Sequence, residues 1–346
     1  MKAVVIEQPG SLSVQDVPEP VPGPGQVVVA VGACGICGTD VHIAAGEFPP
    51  SPYPLVPGHE FAGTVTAVGP QVAPGIDVGD RVAVDPSLFC GHCRQCRRGR
   101  GNLCANWGAI GDTVDGAFAE RVAVPAATCY LLPEHLSFAA GALAEPVSCA
   151  VHGVRRLGVE AGERILVLGA GTMGLIMLQL LTRAGARVSV VDRMPGKLPL
   201  AERLGAAEVA TGVDELPRRA FDAAVDVTGS PAAIEGAFRS LDRGGRLEIF
   251  GVAAEDALVR LSPFRIYNDE ITLVGSMAVL HSYGAALDLI SAGQIDVEPL
   301  VSHTVGLDDF AQALDLVRAS EAVKIHVTPA GDATALEAPH VSGAHA

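Results

Sequence analysis

The chain has 346 residues, 49% of them hydrophobic, and its 39 acidic against 24 basic side chains leave a formal net charge of −15. That length suggests about two domains at ~100–200 residues each, with apolar content ample for two buried cores. The negative charge repels phosphate backbones and anionic membrane surfaces, so neither nucleic acid nor a membrane is an expected partner.

At the N-terminus, the apolar run Met1–Ile6 is cut off by Glu7 and Pro9 before a signal-peptide core can form, so the mature chain is expected to begin near Met1. Residues 1–150 are rich in Pro and Gly. They carry short β-prone runs at Val27–Val31, Ala62–Val68 and Arg81–Val84, which predict a mostly β, barrel-like body. The Pro-rich passage Phe48–Pro57 predicts a restricted loop just ahead of Gly58-His59-Glu60. A lobe at about 86–107 holds Cys90, Cys93, Cys96 and Cys104.

From Arg164 the pattern alternates, with strands expected at Ile165–Leu168, Arg187–Val191, Glu208–Ala210, Ala223–Val227, Leu247–Phe250 and Ile271–Val274. Helical intervals between them predict an α/β domain at 151–285, a doubly wound parallel sheet inserted after the barrel. Ile165–Thr182 has no charged side chain over 18 residues. Gly169, Gly171 and Gly174 divide it into a strand and a buried helix rather than a membrane span. Residues 286–330 are expected to rejoin the first body through an amphipathic helix at Asp308–Ala319. Residues 331–346 are read as a disordered tail.

Eight cysteines in a chain this long are too sparse for a disulfide scaffold, which suits reduced thiols in the cytoplasm. The C-x2-C-x2-C-x7-C array can close a tetrahedral thiolate shell on Zn²⁺, leaving no open position, so that metal is structural. Arg94, Arg97, Arg98 and Arg100 crowd the array and suit the net −2 charge of zinc with four thiolates.

Gly169-Ala170-Gly171-Thr172-Met173-Gly174 satisfies G-x-G-x-x-G between a strand and a helix, the setting of a dinucleotide fingerprint. Asp192, 23 positions after Gly169, ends the next strand, where a carboxylate can accept from ribose hydroxyls. That favours NAD over NADP, although neighbouring Arg193 offers a countercharge. Thr228 is a further expected cofactor contact. Cys37, His59 and Glu60 supply a thiolate, an imidazole and a carboxylate, a set suited to Zn²⁺ with a place for water or substrate. Taken alone, the same residues also fit solvated loop positions, or a Cys34–Cys37 redox pair.

Gly58-His59-Glu60-Phe61-Ala62-Gly63, followed by Gly69 and Val72, is similar to the G-H-E-x2-G-x5-G-x2-V pattern of the zinc-containing medium-chain dehydrogenases. The cysteine array, Gly35-Ile36-Cys37-Gly38-Thr39-Asp40 and the dinucleotide fingerprint follow in that family's order, to about Pro329. Ala142–Ser148, with Glu145-Pro146, resembles the sorbitol and arabinitol branch. The resemblance implies a GroES-like catalytic domain and a Rossmann domain. It implies two zinc ions per chain, NAD, and a catalytic zinc held by Cys37, His59 and Glu60 or Glu145. Thr39 occupies the family's relay-hydroxyl position and His42 that of a histidine passing the proton to solvent. Cys34, Cys129 and Cys149 match no family ligand and are read as buried free thiols.

The implied reaction is reversible oxidation of a secondary hydroxyl of a polyol to a ketose, with hydride passing to the nicotinamide. Where sorbitol dehydrogenases generally place a substrate-facing arginine, this chain has Gly275-Ser276-Met277-Ala278. The departure keeps arabinitol-like polyols, smaller secondary alcohols, threonine and butanediol open. Tyr53, Phe118, Met277 and His281 are candidate pocket or core residues. A homotetramer, with a dimer as alternative, follows from the family's habit of pairing through the strand near Ile271–Val274. Readings from other classes are a non-catalytic NAD-binding protein, which would lack an intact metal site, and a zinc-thiolate redox switch.

Overall fold

A run such as Ile165–Leu168 has no polar face, and a strand of that kind is stable only with both sides covered. In the computed structural model, which describes residues 1–48 and 51–329, it lies in the middle of a six-stranded parallel sheet. The tail expected at 331–346 lies outside the described residues, as do Pro49 and Pro50 of the Pro-rich passage. Across the sheet the order is Glu208–Ala210, Arg187–Val191, Arg164–Leu168, Phe221–Asp226, Leu241–Ile249 and Thr272–Gly275. Chain order reverses between the strands Arg164–Leu168 and Phe221–Asp226, and such a reversal opens a crevice at the strands' carboxyl ends. The charge-free stretch is accordingly a strand followed by the helix Thr172–Arg183. Among the described residues no helix is long and apolar enough to cross a membrane.

Four of the six strands differ from expectation in their bounds, Arg164–Leu168, Phe221–Asp226 and Thr272–Gly275 by only one or two residues at an end. The fifth begins at Leu241 rather than Leu247, because Arg243-Gly244-Gly245 reads as a turn yet is carried through as an irregularity in the ladder. The sixth, Thr272–Gly275, is an edge strand with Leu273 exposed.

The first body is organised on the long strand Gln26–Ile36. It pairs antiparallel with Glu60–Val68, Arg121–Pro125 and Lys324–Val327. Glu60–Val68 extends to Arg81–Val84 and then Cys129–Leu131, and Lys324–Val327 pairs in parallel with Val301–Val305. Residues far along the chain therefore complete the N-terminal sheet. Their core joins Val27, Val29, Phe61 and Val82 to Phe310, Leu314, Ile325 and Val327. The helix expected at Asp308–Ala319 is a 3-10 turn, Leu307–Asp309, followed by Phe310–Arg318.

The joints expected after residues 150 and 285 fall inside the helices Ala144–Leu157 and Tyr283–Ser291. These helices pack together and bury Val147, Ala150, Ala286 and Leu287 in one core with Ile165 and Val167. The same core takes in Ala62 and Ala83 of the first sheet, and Tyr283 lies 4.8 Å from Tyr130, so the two helices also pack against the first body. The return to the first sheet begins with Val301–Val305.

Candidate active site and metal centres

The strand Gln26–Ile36 delivers Cys37 to the start of the helix Gly38–Ala45. Asp40 fixes that turn, its Oδ2 accepting the Cys37 N–H at 2.7 Å. On the neighbouring strand Gly35 sits opposite Glu60, and a Cβ on Gly35 would lie 2.2 Å from Glu60 Oε2. Glycine at this position is what lets the Glu60 side chain cross the sheet. The result is a cluster, buried at His59 and Glu60 and half-buried at Cys37, in which one ligand atom of each lies within 4.8 Å of the others. A thiol, an imidazole and a carboxylate converging in this way fit a Zn²⁺ ion that keeps an open position.

Charge in the cluster is arranged around a cation. Lys324 Nζ donates to Glu60 Oε2 at 2.6 Å and to the Ile36 carbonyl at 3.0 Å, all within the interior. Burial raises the Glu60 pKa, but Lys324 and His59 outweigh it and hold the carboxyl below its ordinary range. Burial disfavours protonation of His59, yet Asp112, Cys37 and Asp40 outweigh it and raise the ring's pKa well above the usual value. The field at His59 thus favours a positive charge in the cluster. His326, on the same strand as Lys324, has neither ring nitrogen paired among the described residues, and burial with the nearby ammonium lowers it to about 4.

Glu145 lies in the first turn of Ala144–Leu157 but is not a member of the 4.8 Å cluster. Its carboxyl is pushed by burial up to about 7, and its Oε1 accepts from the Cys149 thiol at 3.2 Å. Cys149, expected to be a buried thiol without a role, is only partly buried and contacts a site carboxylate. Cys34 is fully buried, whereas Cys129 is partly exposed. Thr39 stands beside the cluster, its Oγ1 3.8 Å from Cys37 Sγ. His42 lies farther out, half-exposed, with Nδ1 2.8 Å from Glu47 Oε2.

A cleft of about 710 Å³ runs from this cluster to the dinucleotide turn. Cys37 and Glu60 line one part of it, and Gly169, Gly171, Thr172, Met173, Gly174, Asp192, Arg193 and Thr228 another. A Cβ on Gly174 would lie 1.7 Å from the Gly169 carbonyl, so the helix approaches the strand as closely as the fingerprint predicts. Asp192 braces the rim, accepting the Ala170 and Met194 N–H groups at 2.7 and 2.8 Å. Thr228 donates to Asp226 Oδ1 at 2.6 Å. Thr172 Oγ1 donates to the Val323 carbonyl at 2.6 Å, tying the dinucleotide helix to the residue before Lys324.

The second cluster has a different chemistry. Cys104 Sγ lies 3.5 Å from Cys90 Sγ and 3.9 Å from Cys93 Sγ, far beyond a disulfide bond of about 2.05 Å. Four sulfurs around zinc at about 2.3 Å stand roughly 3.8 Å apart, close to what is seen. Backbone N–H groups of Cys90, Cys93, Cys96 and Asn106 point at these sulfurs from 3.3 to 3.5 Å, and such donors, led by that of Cys96, lower Cys93 to about 6. Arg94, Arg97, Arg98 and Arg100 are exposed around it. Short strands Ser87–Leu88 and Gly108–Ala109 close the lobe at its base.

None of the four residues suggested for the substrate pocket lines this cleft. Phe118 is core, its ring tilted against Phe310 with centroids 4.6 Å apart, and its backbone N–H is held by the Pro57 carbonyl. Tyr53 is tied to the Ile43 carbonyl, and Met277 and His281 spend their carbonyls on Asn102 and Arg155. Asp112 and Lys324 carry the site's electrostatics without having been singled out from sequence. A charged side chain inside Lys324-Ile325-His326-Val327 was the available signal for Lys324, since alternation puts it and His326 on one face.

Comparison with known proteins agrees with this geometry. Residues 23–134 match the alcohol dehydrogenase GroES-like domain family and residues 172–292 the zinc-binding dehydrogenase family. D-arabinitol dehydrogenase 1 of Uromyces fabae is 34% identical over 95% of this chain and 97% of its own length. An L-threonine 3-dehydrogenase of Saccharopolyspora erythraea is also 34% identical, over 94% of this chain and 98% of its own. A crystal structure from Sinorhizobium meliloti 1021, assigned as a zinc-binding dehydrogenase and bound to NADP, superposes with a TM-score of 0.91 at 37% identity, covering 95% of this chain and 99% of that one. With both parts of the chain matched and full-length relatives on either side of the polyol and amino-alcohol divide, the chain belongs to the zinc-binding dehydrogenases and is an oxidoreductase of the polyol-dehydrogenase-like kind.

Proposed function

We propose that this protein oxidises a secondary hydroxyl of a polyol to the corresponding ketose, reversibly, using NAD and two zinc ions per chain. The observation that carries the reading is the single cleft shared by Cys37, Glu60 and the glycine turn, which sets a metal centre beside a dinucleotide site. Cys37, His59 and Glu60 are the catalytic ligands in this reading, with Glu145 a nearby carboxylate, and Cys90, Cys93, Cys96 and Cys104 hold the structural ion. Bound zinc supplies Lewis acidity to a substrate oxygen. Thr39 accepts the hydroxyl proton beside Cys37, and His42, half-exposed against Glu47, gives it an outlet to solvent. Asp192 receives the ribose hydroxyls and opposes a 2′-phosphate, which supports NAD over NADP.

The same reading assigns the parallel sheet and its flanking helices to cofactor binding, and the sheet around Gln26–Ile36, with its C-terminal strands, to catalysis. The exposed edge strand Thr272–Gly275 supports pairing of copies into a homotetramer, and reduced thiols suit the cytoplasm. Threonine oxidation is the second reading, favoured by the threonine dehydrogenase at the same 34% identity.

The test is a screen of NAD and NADP reduction over alditols, secondary alcohols, diols and threonine, with metal analysis. Two zinc ions per chain with NAD-linked activity on several polyols is the expected outcome. One zinc ion and activity on threonine alone would overturn the polyol assignment.

A further inference from the structure

His59 is flanked on one ring nitrogen by two carboxylates of unequal standing. Asp40 Oδ1 lies 3.8 Å from Nδ1, and its other oxygen is engaged in capping Cys37. Asp112 Oδ1 lies 3.1 Å from the same nitrogen, a close charge contact, and neither of these two atoms has a hydrogen-bond partner among the described residues. Both side chains of the closer pair are buried.

Asp112 is held there through its own backbone and that of its loop. Residues 111–118 lie along Val56–Gly58, with Gly116, Ala117 and Phe118 N–H groups donating to the Val56, Gly58 and Pro57 carbonyls at 2.7 to 2.9 Å. A Cβ on either Gly111 or Gly116 would fall 2.3 Å from the Gly58 carbonyl oxygen, so only glycine permits the two loops this approach. The turn is closed by Gly111 N–H on the Val114 carbonyl, and Ser51 Oγ donates to the Asp112 carbonyl at 2.6 Å. A loop locked against the residue before His59 therefore fixes where the Asp112 carboxylate sits.

We propose that Asp112 is a positioning residue that keeps the His59 proton on Nδ1 and so presents Nε2 to the metal shared with Cys37 and Glu60. A neutral imidazole has one lone pair, and a carboxylate facing Nδ1 decides which nitrogen keeps it and strengthens that nitrogen as a donor. Asp40 serves the Cys37 turn in the first place and His59 in the second. The inference rests on the metal-centre reading above and adds to it the residue that orients the imidazole.

The experiment compares wild type, Asp112→Asn and Asp40→Asn, each loaded with Zn²⁺ or Co²⁺, by chelator competition with pyridine-2,6-dicarboxylate and by the visible Co²⁺ spectrum. Asp112→Asn is expected to weaken one of the two ions by about 10–100-fold, the cost typical of losing such an outer partner, and to shift that ion's ligand-field bands. The ion of the four cysteines and the melting temperature stay as in wild type, and Asp40→Asn has the smaller effect on affinity. A folded Asp112→Asn chain with unchanged affinity and spectrum would overturn the proposal. Should that variant not fold, ¹⁵N NMR of the zinc-loaded wild type decides. A proton on Nδ1 of His59 supports the assignment, and a proton on Nε2 sinks it. Failure of the underlying metal-centre reading looks different, because wild type itself would then take up a single ion.

Discussion

The lobe around Cys90, Cys93, Cys96 and Cys104 takes every sulfur from one short stretch at the surface and satisfies them with its own backbone N–H groups. The Cys37 cluster draws on two strands, and for its electrostatic balance on Lys324, which pairs with Glu60 across a sequence separation of 264. The first centre is locally encoded, and none of its four cysteines lines the cleft. The second is a property of the whole sheet, since Gly35, Glu60 and His326 share one register across three strands. A half-buried all-sulfur shell has no place for a further ligand, whereas a mixed shell of thiol, imidazole and carboxylate fits an ion with an open position.

Substitutions at the two centres separate them. Cys93→Ser is expected to release the surface ion, with loss of a binding energy on the order of 10 kcal/mol at that lobe. The check is zinc content, which should fall by one per chain, with protease sensitivity confined to about 86–107. Cys37→Ser should abolish turnover, by more than about 10³-fold, and remove the other ion while the melting curve stays near wild type. Loss of both ions from either variant would break the contrast.

Lys324→Met leaves the Glu60 carboxylate buried without its partner, and in chelator-treated protein this should cost roughly 3–5 kcal/mol in denaturant unfolding. Added zinc should restore much of it, because the ion faces the same oxygens. Thr39→Val should lower turnover by about 10²-fold with both ions retained, measured by steady-state kinetics beside metal analysis.

The smallest effect lies away from both centres. Burial pushes Glu248 up from 4.5 to about 7, with Arg156 opposing only in part, and neither of its oxygens has a partner among the described residues. The folded chain therefore holds a proton that the unfolded chain releases, so stability falls as pH rises from 4.5 toward 7 and is level above that. Glu248→Gln should flatten the melting temperature across this window, raising it most at the alkaline end. An identical slope in both proteins would refute the assignment.

Much of this arrangement could be read from the chain. Hydrophobic runs with no polar face marked the parallel strands, and C-x2-C-x2-C-x7-C marked a centre whose parts are neighbours. Leu241–Leu247 was hidden because glycines in a ladder look like glycines in a turn. Asp112 was hidden for a deeper reason. Its place beside His59 depends on two loops meeting through Gly58, Gly111 and Gly116, and no spacing along the chain encodes that encounter. Lys324 lies in the same class, since one charged residue in a short apolar strand becomes meaningful only when its facing strand is known. Glu145 and Cys149, four apart on one helix, show the limit from the other side: the periodicity that joins them was present, but nothing local said which face lay toward His59 and Glu60.

The strand Lys324–Val327 has an implication for biosynthesis. During translation the glycine turn and most of the parallel sheet leave the ribosome well before Lys324 does, so a nascent chain can form its nucleotide crease while Glu60 still lacks its counter-ion. Only when this late strand slots in beside Gly35 does Glu60 gain its ammonium partner, so a message cut short upstream of it would yield a chain without that ion pair.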